Sequence, residues 1–598
     1  MKVYWQRVLD RRITRRKALA ATGAAAGAAA LLAACGGGEG GGAPKDSSGL
    51  LWTPVDESKN AKAGGTYVTV QVNGLVTHDV HRIGAHGGIA GRGYSQLFRI
   101  SDGVLQQTTG TPQGDLAESW ELSPDKLQLT VKLDPGAGFA PLPPVNGRAV
   151  DSDDVLFSWE RFKATGTLRG DIANEVSSGA PVVSITAPDK RTVVIKIAEP
   201  NSAIFTLLGL AGLGTLFIVP KEAGDTSKLD IARQPLGSGP YYISESNEVN
   251  IRYKKNPNFK RAALKNNEPY IDEVFTPVIP NVATASAQFR SGQVHDYTLP
   301  ALEVVGAKRE NNALLMYASD PISTERWYFG QSAESPFRDE RLRIAYHKVI
   351  DRDLYVTAAY NTDNYKKEGL PVQEFWEGSF SVNTWTGYVL DPKSEKDYGA
   401  AAKNFKFDIA EAKKLVEAAG NKTPFEYVQV FSDETPTSFS PPIYRRVDII
   451  MNMIEESGVF KMRRRPLEWA PEWSPQIRQG KGNFNGASWG PDTSSLDPTR
   501  DAFFIYNPKG GYFEGGDSTL EELTIRAVRE FDEKKRQEII KEIQRYDATK
   551  MFNQKVGTAG GFRVVWPVVR NANVFRGGTN WTGLRLYLDQ TQPPLKKT

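Results

Sequence analysis

Three of the chain's five histidines fall close together, as His78-Asp79-x-His81 and His86. Neighbouring imidazole nitrogens can hold a transition metal. This spacing matches no motif of defined ligand geometry, however, and the glycines around it read as a loop. Cys35 is the only cysteine, so no intrachain disulfide can form and cysteine-based zinc sites are excluded. No His-Glu-x-x-His pair is present. Gly516-Asp517-Ser518 resembles the opening of a lipase block but lacks its continuation and precedes an amphipathic helical pattern. Carboxylates are plentiful, so counting alone leaves a paired-acid glycosidase open as a secreted hydrolase reading. Gly36-x-Gly38-x-x-Gly41 spells a dinucleotide fingerprint without a preceding strand or following helix, and is compositional.

The setting of Cys35 gives it a different chemistry. Residues 2–17 are basic, with Arg11-Arg12 and Arg15-Arg16. Residues 18–34 are uncharged and rich in Ala and Gly, and Leu32-Ala33-Ala34 leads into the thiol. A positive end, an apolar middle and a small-residue cleavage site make an export signal over 1–34. The apolar run is too short and too rich in alanine and glycine for a spanning helix. Leu32-Ala33-Ala34-Cys35 resembles a bacterial lipobox, in which the cysteine receives lipid and becomes the first mature residue. Thr14-Arg15-Arg16 with Leu19 resembles a twin-arginine signal, although Ala18 stands where a bulky apolar residue is usual. Residues 35–49 then read as a flexible glycine-rich tether.

The net charge of +4 over 598 residues belongs to this leader. Seven cations against Asp10 precede Cys35, a surplus of six, which leaves −2 for the mature part. Nucleic-acid binding therefore loses its electrostatic support. With 40% hydrophobic and 24% charged residues, the remainder reads as a large globular protein of more than one lobe. No later run is apolar for long enough to span a membrane.

The elements that must position any site follow from periodicity. Residues 65–72 alternate as a strand, as do 127–133 and 192–197 within a strand-rich region over 96–200. Asp151 with Asp154 caps a helix running through Val155, Trp159 and Phe162. Helical stripes dominate after Pro336. They comprise Arg338 to Tyr355, a helix capped by Asp408 and ended at Gly420, Tyr444 to Ser457, Leu520 to Phe531, and Ile539 to Tyr546. Strands return near 562–569.

Several segments, in order across nearly the whole mature chain, resemble the extracytoplasmic solute-binding proteins of ABC transporters, family 5, the peptide- and nickel-binding group. They include Leu116-Ala117-Glu118-Ser119-Trp120, Asn146-Gly147 through Asp154-Val155, Gly237-Ser238-Gly239-Pro240-Tyr241, Pro257-Asn258-Phe259 and Ile271-Asp272-Glu273-Val274. Pro336-Phe337-Arg338-Asp339 with Ile350-Asp351-Arg352, and Asp408 to Gly420, continue the series. At Val294-His295 the family usually has an acidic residue, which here comes one position later as Asp296; no consequence for the fold is expected.

The resemblance implies an α/β, two-lobed periplasmic-binding-protein-like fold of the large, three-subdomain type, with a hinge of two crossing strands. Lobe I is expected at 50–90, 201–290 and 566–598, an inserted subdomain at 91–200, and lobe II at 291–565. It implies capture of a ligand, first of all a short peptide, and delivery to permease subunits by a lipid-anchored monomer outside the cytoplasmic membrane, without catalysis or a cofactor. An oligosaccharide or a metal chelate is the alternative cargo, and handing occupancy to a sensor the alternative role. Trp489-Gly490-Pro491-Asp492 resembles the family element whose aspartate pairs with a peptide α-amine. A buried ammonium needs such an anion, and an indole beside it adds cation-attracting surface. Pro498 follows more distantly than the family pattern has it, so this loop is longer. Tyr94, Trp327 and Tyr328 are further candidates for the cleft wall, with core packing as their other reading.

Overall fold

The computed structural model describes residues 45–72, 77–82, 87–209, 215–264, 268–321, 325–432, 441–491, 496–577 and 584–594. The export signal, Cys35, His86 and Asp492 lie outside them.

The first body is organised by two sheets. In one, Thr66–Val68 pairs in parallel with Glu273–Pro277. That strand is antiparallel to Asn250–Lys255, which is antiparallel to Tyr241–Ser246. Register aligns Tyr67, Val274, Tyr253 and Ile243 on one buried face, against which the helix Gly87–Gly93 packs. The expected strand at 65–72 is thus regular only over three residues; Thr69 and Gln71 continue it as isolated bridges. The second sheet has the order Ala117–Leu122, Gln128–Leu133, Thr192–Ile197, Val182–Asp189, all antiparallel. Leu129, Val131 and Leu133 point inward and their neighbours outward, the period-two burial of a one-sided sheet.

The helix Ser152–Thr165 closes this subdomain, and its start shows why Arg148 to Val155 reads as a motif. Asp151 accepts from Asp153 N and Asp154 N, while the Asp154 carboxylate returns to Asp151 N, a reciprocal capping box. Fully buried Asp154 also receives Arg148 through two bonds of 2.8 and 2.6 Å and Lys221 N at 3.0 Å.

The second body centres on a sheet of order Glu325–Phe329, Ala487–Pro491, Phe425–Ser432, Phe460–Leu467. Its first pair is antiparallel and the others parallel. The expected single helix over Arg338 to Tyr355 is two helices, Glu340–Lys348 and Arg352–Tyr360. Asp351 is extended and accepts from Leu354 N, capping a new helix where the apolar stripe alone suggested continuation. Asp408 caps Ile409–Ala418, and Gly420 takes φ +81° just past its end. Asp517 caps Ser518–Arg529 through Thr519 N and Leu520 N, so Gly516-Asp517-Ser518 is a helix start. Helices Ser518–Arg529 and Glu533–Lys550 pack on each other and complete this body.

Two strands join the bodies: Leu315–Ser319 and Gly561–Val565, antiparallel from Leu315↔Val565 to Ser319↔Gly561. Leu299, Val304, Ala307 and Leu314 pack in the same core cluster as the first body's sheets. Among the described residues no helix is long and apolar enough to cross a membrane.

Replacing Asp154 by Ala leaves Arg148 to Glu222 alone and opens the cap, and should cost about 2 kcal/mol, against about 1 kcal/mol for Asp151→Ala. Urea unfolding followed by circular dichroism reads both; equal losses would contradict the assignment of Asp154 as the shared partner.

Candidate ligand-binding site

The element Trp489-Gly490-Pro491 ends the strand Ala487–Pro491, whose register sets Trp489 beside Trp327, Ser488 beside Tyr328 and Pro491 beside Glu325. Alternation then divides the side chains. Trp327 and Trp489 are both buried among the helices of the second body, with Trp327 5.8 Å from the Tyr346 ring. Tyr328 faces the opposite way, edge-on to Trp473 at 5.7 Å, in a cluster with Val430, Leu467 and Ile477. Trp473 lies in the π-helical segment Trp469–Arg478, stacks on Trp469 at 4.8 Å and donates its indole N–H to Ser488 Oγ at 3.1 Å. A Cβ at Gly490 would stand 1.9 Å from the Trp473 ring, so only glycine lets this strand pass beneath the indole.

Two cations frame the same strand pair, Arg326 buried and Arg446 partly so, and neither is apparent from the sequence. Arg446 grips both oxygens of Glu325, one through Nη2 at 3.1 Å, and Tyr355 donates to that carboxylate at 3.3 Å. Burial works against the Arg446 charge, but the Glu325 carboxylate overrides it and holds the guanidinium pKa above its ordinary value. Arg326 points to the other face. It donates to Ser379 O at 2.9 Å and Asn553 Oδ1 at 2.7 Å, and lies 3.6 Å from Glu514. The available signal was the pair of charges opening an otherwise aromatic strand, Glu325-Arg326-Trp327-Tyr328-Phe329. Arg446 is distant in sequence and carries no local cue.

Tyr94 lies in the first body, fully buried, its hydroxyl accepting from Leu236 N at 2.9 Å and its ring edge-on to Phe217. The turn Gly237-Ser238-Gly239 presses on it. A Cβ at Gly237 would meet Gly93 O at 2.3 Å, and one at Gly239 would meet Arg92 O at 2.4 Å. That family segment is therefore a packing requirement.

The histidines are divided among separate partners. His78 places Nδ1 3.1 Å from Ala232 O and Nε2 2.8 Å from Ser246 Oγ. Buried His81 donates from Nε2 to Phe217 O at 2.8 Å and accepts at Nδ1 from Arg161 Nη1 at 2.8 Å. Arg161 in turn clasps Asp79 at 3.0 and 2.7 Å. Both nitrogens of His81 are thus committed to the protein. Among the described residues no group of three or more potential ligands is arranged to hold a metal.

Two bodies, each with its own sheet, joined among the described residues by one antiparallel strand pair, define the two-lobed class of solute-binding proteins. A family model described as bacterial extracellular solute-binding proteins, family 5 middle, matches residues 111–511, and the chain belongs to that family. A probable di/tripeptide-binding protein 5 of Pseudomonas aeruginosa is 22% identical over 405 residues, covering 65% of this chain and 70% of that protein. A probable D,D-dipeptide-binding periplasmic protein of Escherichia coli is 23% identical over 411 residues, covering 67% and 69%. Among solved structures, the ABC transporter-associated periplasmic binding protein DppA of Helicobacter pylori, in complex with peptide STSA, superposes with a TM-score of 0.68. It is 20% identical and covers 89% of this chain and 100% of that one. AgaA of A. tumefacien R10, in complex with agropinic acid, gives 0.67 at 19% identity, covering 88% and 99%.

Burial lowers the His81 pKa from 6.5 to about 4, with Arg161 adding to the shift and the Phe217 carbonyl and Asp79 opposing it. The depressed value makes the neutral ring the folded form. Its stabilisation is complete above 6.5 and is lost as the pH falls from 6.5 to about 4, reaching about 3 kcal/mol. Thermal unfolding between pH 7 and 4 should therefore show a shallower acid loss for His81→Gln than for the wild type; parallel curves would contradict the neutral, doubly bonded ring.

Proposed function

We propose that the protein is the lipid-anchored solute-binding component of an ABC importer, and that its ligand is a short peptide whose α-ammonium pairs with Asp492. The observation that carries this reading is the strand Ala487–Pro491, fixed on one side by Trp489 in the core and on the other by Trp473 over Gly490. The residue that follows Pro491 in sequence, Asp492, stands where the segment resembles the family's amine-pairing element. A strand clamped on both faces is the kind of rigid mount that a buried charge pair needs, because misplacing a carboxylate by an ångström forfeits its hydrogen bonds. On this reading Trp489 contributes by anchoring the strand, and Trp327, Tyr328 and Tyr94 by shaping the walls behind the cleft. Glu325 and Arg446 neutralise each other beside the strand end.

Support for peptides also comes from the names of the relatives, di/tripeptide- and dipeptide-binding proteins. The fold itself does not select the cargo, since neighbours holding a peptide and an opine acid superpose equally well. A mixed pool of alanine di-, tri- and tetrapeptides should bind the mature protein. N-acetylation of those peptides, or Asp492→Asn, should each weaken binding by about 10- to 100-fold, the worth of a charge-assisted bond. Calorimetric titration reads this, and equal affinity for free and acetylated peptides would sink the amine assignment.

The anchor is proposed at Cys35. Tritiated palmitate fed to expressing cells should label the wild type, and Cys35→Ser should remove the label and release the protein from the membrane fraction. Membrane retention of the Cys35→Ser protein would contradict a lipid anchor.

A further inference from the structure

We infer that the two lobes close through a latch of their own, a seam between the inserted subdomain with the residues that follow it, 201–209, and the second lobe, that needs no ligand atom. Its contacts run the length of that boundary. Ser202 N donates to Val528 O at 2.6 Å, Thr206 Oγ1 to Asp497 Oδ2 at 2.6 Å, and Gln107 Nε2 to Asn383 O at 2.9 Å. Arg529 and Glu199 pair at 2.6 Å nearer the surface. At the buried centre Arg500 reaches Asp171 of the subdomain at 3.4 Å and its own neighbour Asp501 at 3.0 Å, and lies 4.2 Å over the Phe504 ring. These two side chains of the cross-seam pair are 8% and 9% exposed, which is far drier than a chance surface pair.

Shape matches chemistry. A Cβ at Gly179 would stand 2.4 Å from Lys509 O and 2.7 Å from Lys509 Cβ; one at Gly110 would enter the Trp385 indole at 2.3 Å. A Cβ at Gly511 would come 2.7 Å from Asp171 Oδ1. Each of these glycines leaves room for a group from the opposite lobe, so the two surfaces are fitted to each other. Apolar packing crosses the same line, with Ile100 in the cluster of Trp385, Ile505 and Leu520, and Phe504 and Tyr512 in the first lobe's core.

The central carboxylate also couples the seam to pH. Burial raises the Asp171 pKa to about 6, opposed by Arg500, Arg478 and Lys481, and Tyr512 and Asp501 face the same cluster. Opening returns Asp171 to water and towards its ordinary 3.8, so the closed form binds the proton more tightly. Closure should gain as the pH falls from about 6 towards 4 and lose as it rises through 6.

The test uses the mature chain with Cys35→Ser, stripped of small molecules by unfolding and refolding. With Ser202→Cys and Val528→Cys added, the ligand-free protein should form the cross-seam disulfide readily. Adding Gly179→Ala should slow it at least about tenfold and raise the small-angle-scattering radius, with far-ultraviolet dichroism unchanged. Asp171→Asn, tested separately, should remove the pH dependence of the radius. Two results would overturn the latch: a disulfide that forms no faster than the Gly179→Ala protein allows, or a Ser202 amide that exchanges with deuterium only by global unfolding, which would make the seam permanent. A non-peptide cargo would leave every one of these outcomes unchanged.

Discussion

Everything in this protein turns on one carboxylate, Asp296, which ties the first lobe's sheet to the hinge. Its Oδ2 accepts from Tyr67 on the first strand at 2.8 Å, and its Oδ1 from Arg563 on the returning hinge strand at 2.8 Å. Its backbone bridges Thr69 on one side and Val565 on the other. The adjacent His295 donates its N–H to Val68 O at 2.9 Å and accepts at Nδ1 from Val68 N. Among the described residues one strand pair joins the lobes, and rigid-body rotation about it is the motion this topology permits. The Asp296 knot fixes one end of the rotation axis to the first lobe. The acidic residue that arrives one position late in the family motif thus bonds both the first strand and the returning hinge strand.

From that axis the remaining features fall into place. The second lobe presents its strand pair Glu325–Phe329 and Ala487–Pro491, stiffened by indoles on both faces and by two buried arginine networks. The inserted subdomain presents Asp171 and Gly179, and the segment after it Ser202, to the opposite side. Binding energy and seam energy then act on a single coordinate. A ligand needs to supply only the part of the closing free energy that the seam does not, which is the arithmetic of population shift.

Local chemistry made much of the fold legible. Asp151 and Asp154 announce a helix because both halves of a capping box lie within four residues, and Asp408 and Gly420 bracket another for the same reason. The boundary at Val349 to Asp351 was missed because an apolar stripe runs through it, while the Asp351 cap acts on the helix that follows. Aromatic residues were recognised as site candidates, yet sequence cannot say which face of a strand is the core. The register places Trp327 and Trp489 inwards and Tyr328 on the other side. Glu325 with Arg446, and Asp171 with Arg500, were not legible at all, since each pair is made by the fold across long sequence separations.

What the cleft holds decides the ligand class. The most direct measurement is to purify the mature protein with Cys35 replaced, denature it, and identify the small molecules it releases by mass spectrometry. A ladder of short peptides with free amino termini is the predicted result. A single sugar, an opine or a metal complex would contradict the peptide assignment and the pairing of Asp492 with an ammonium group.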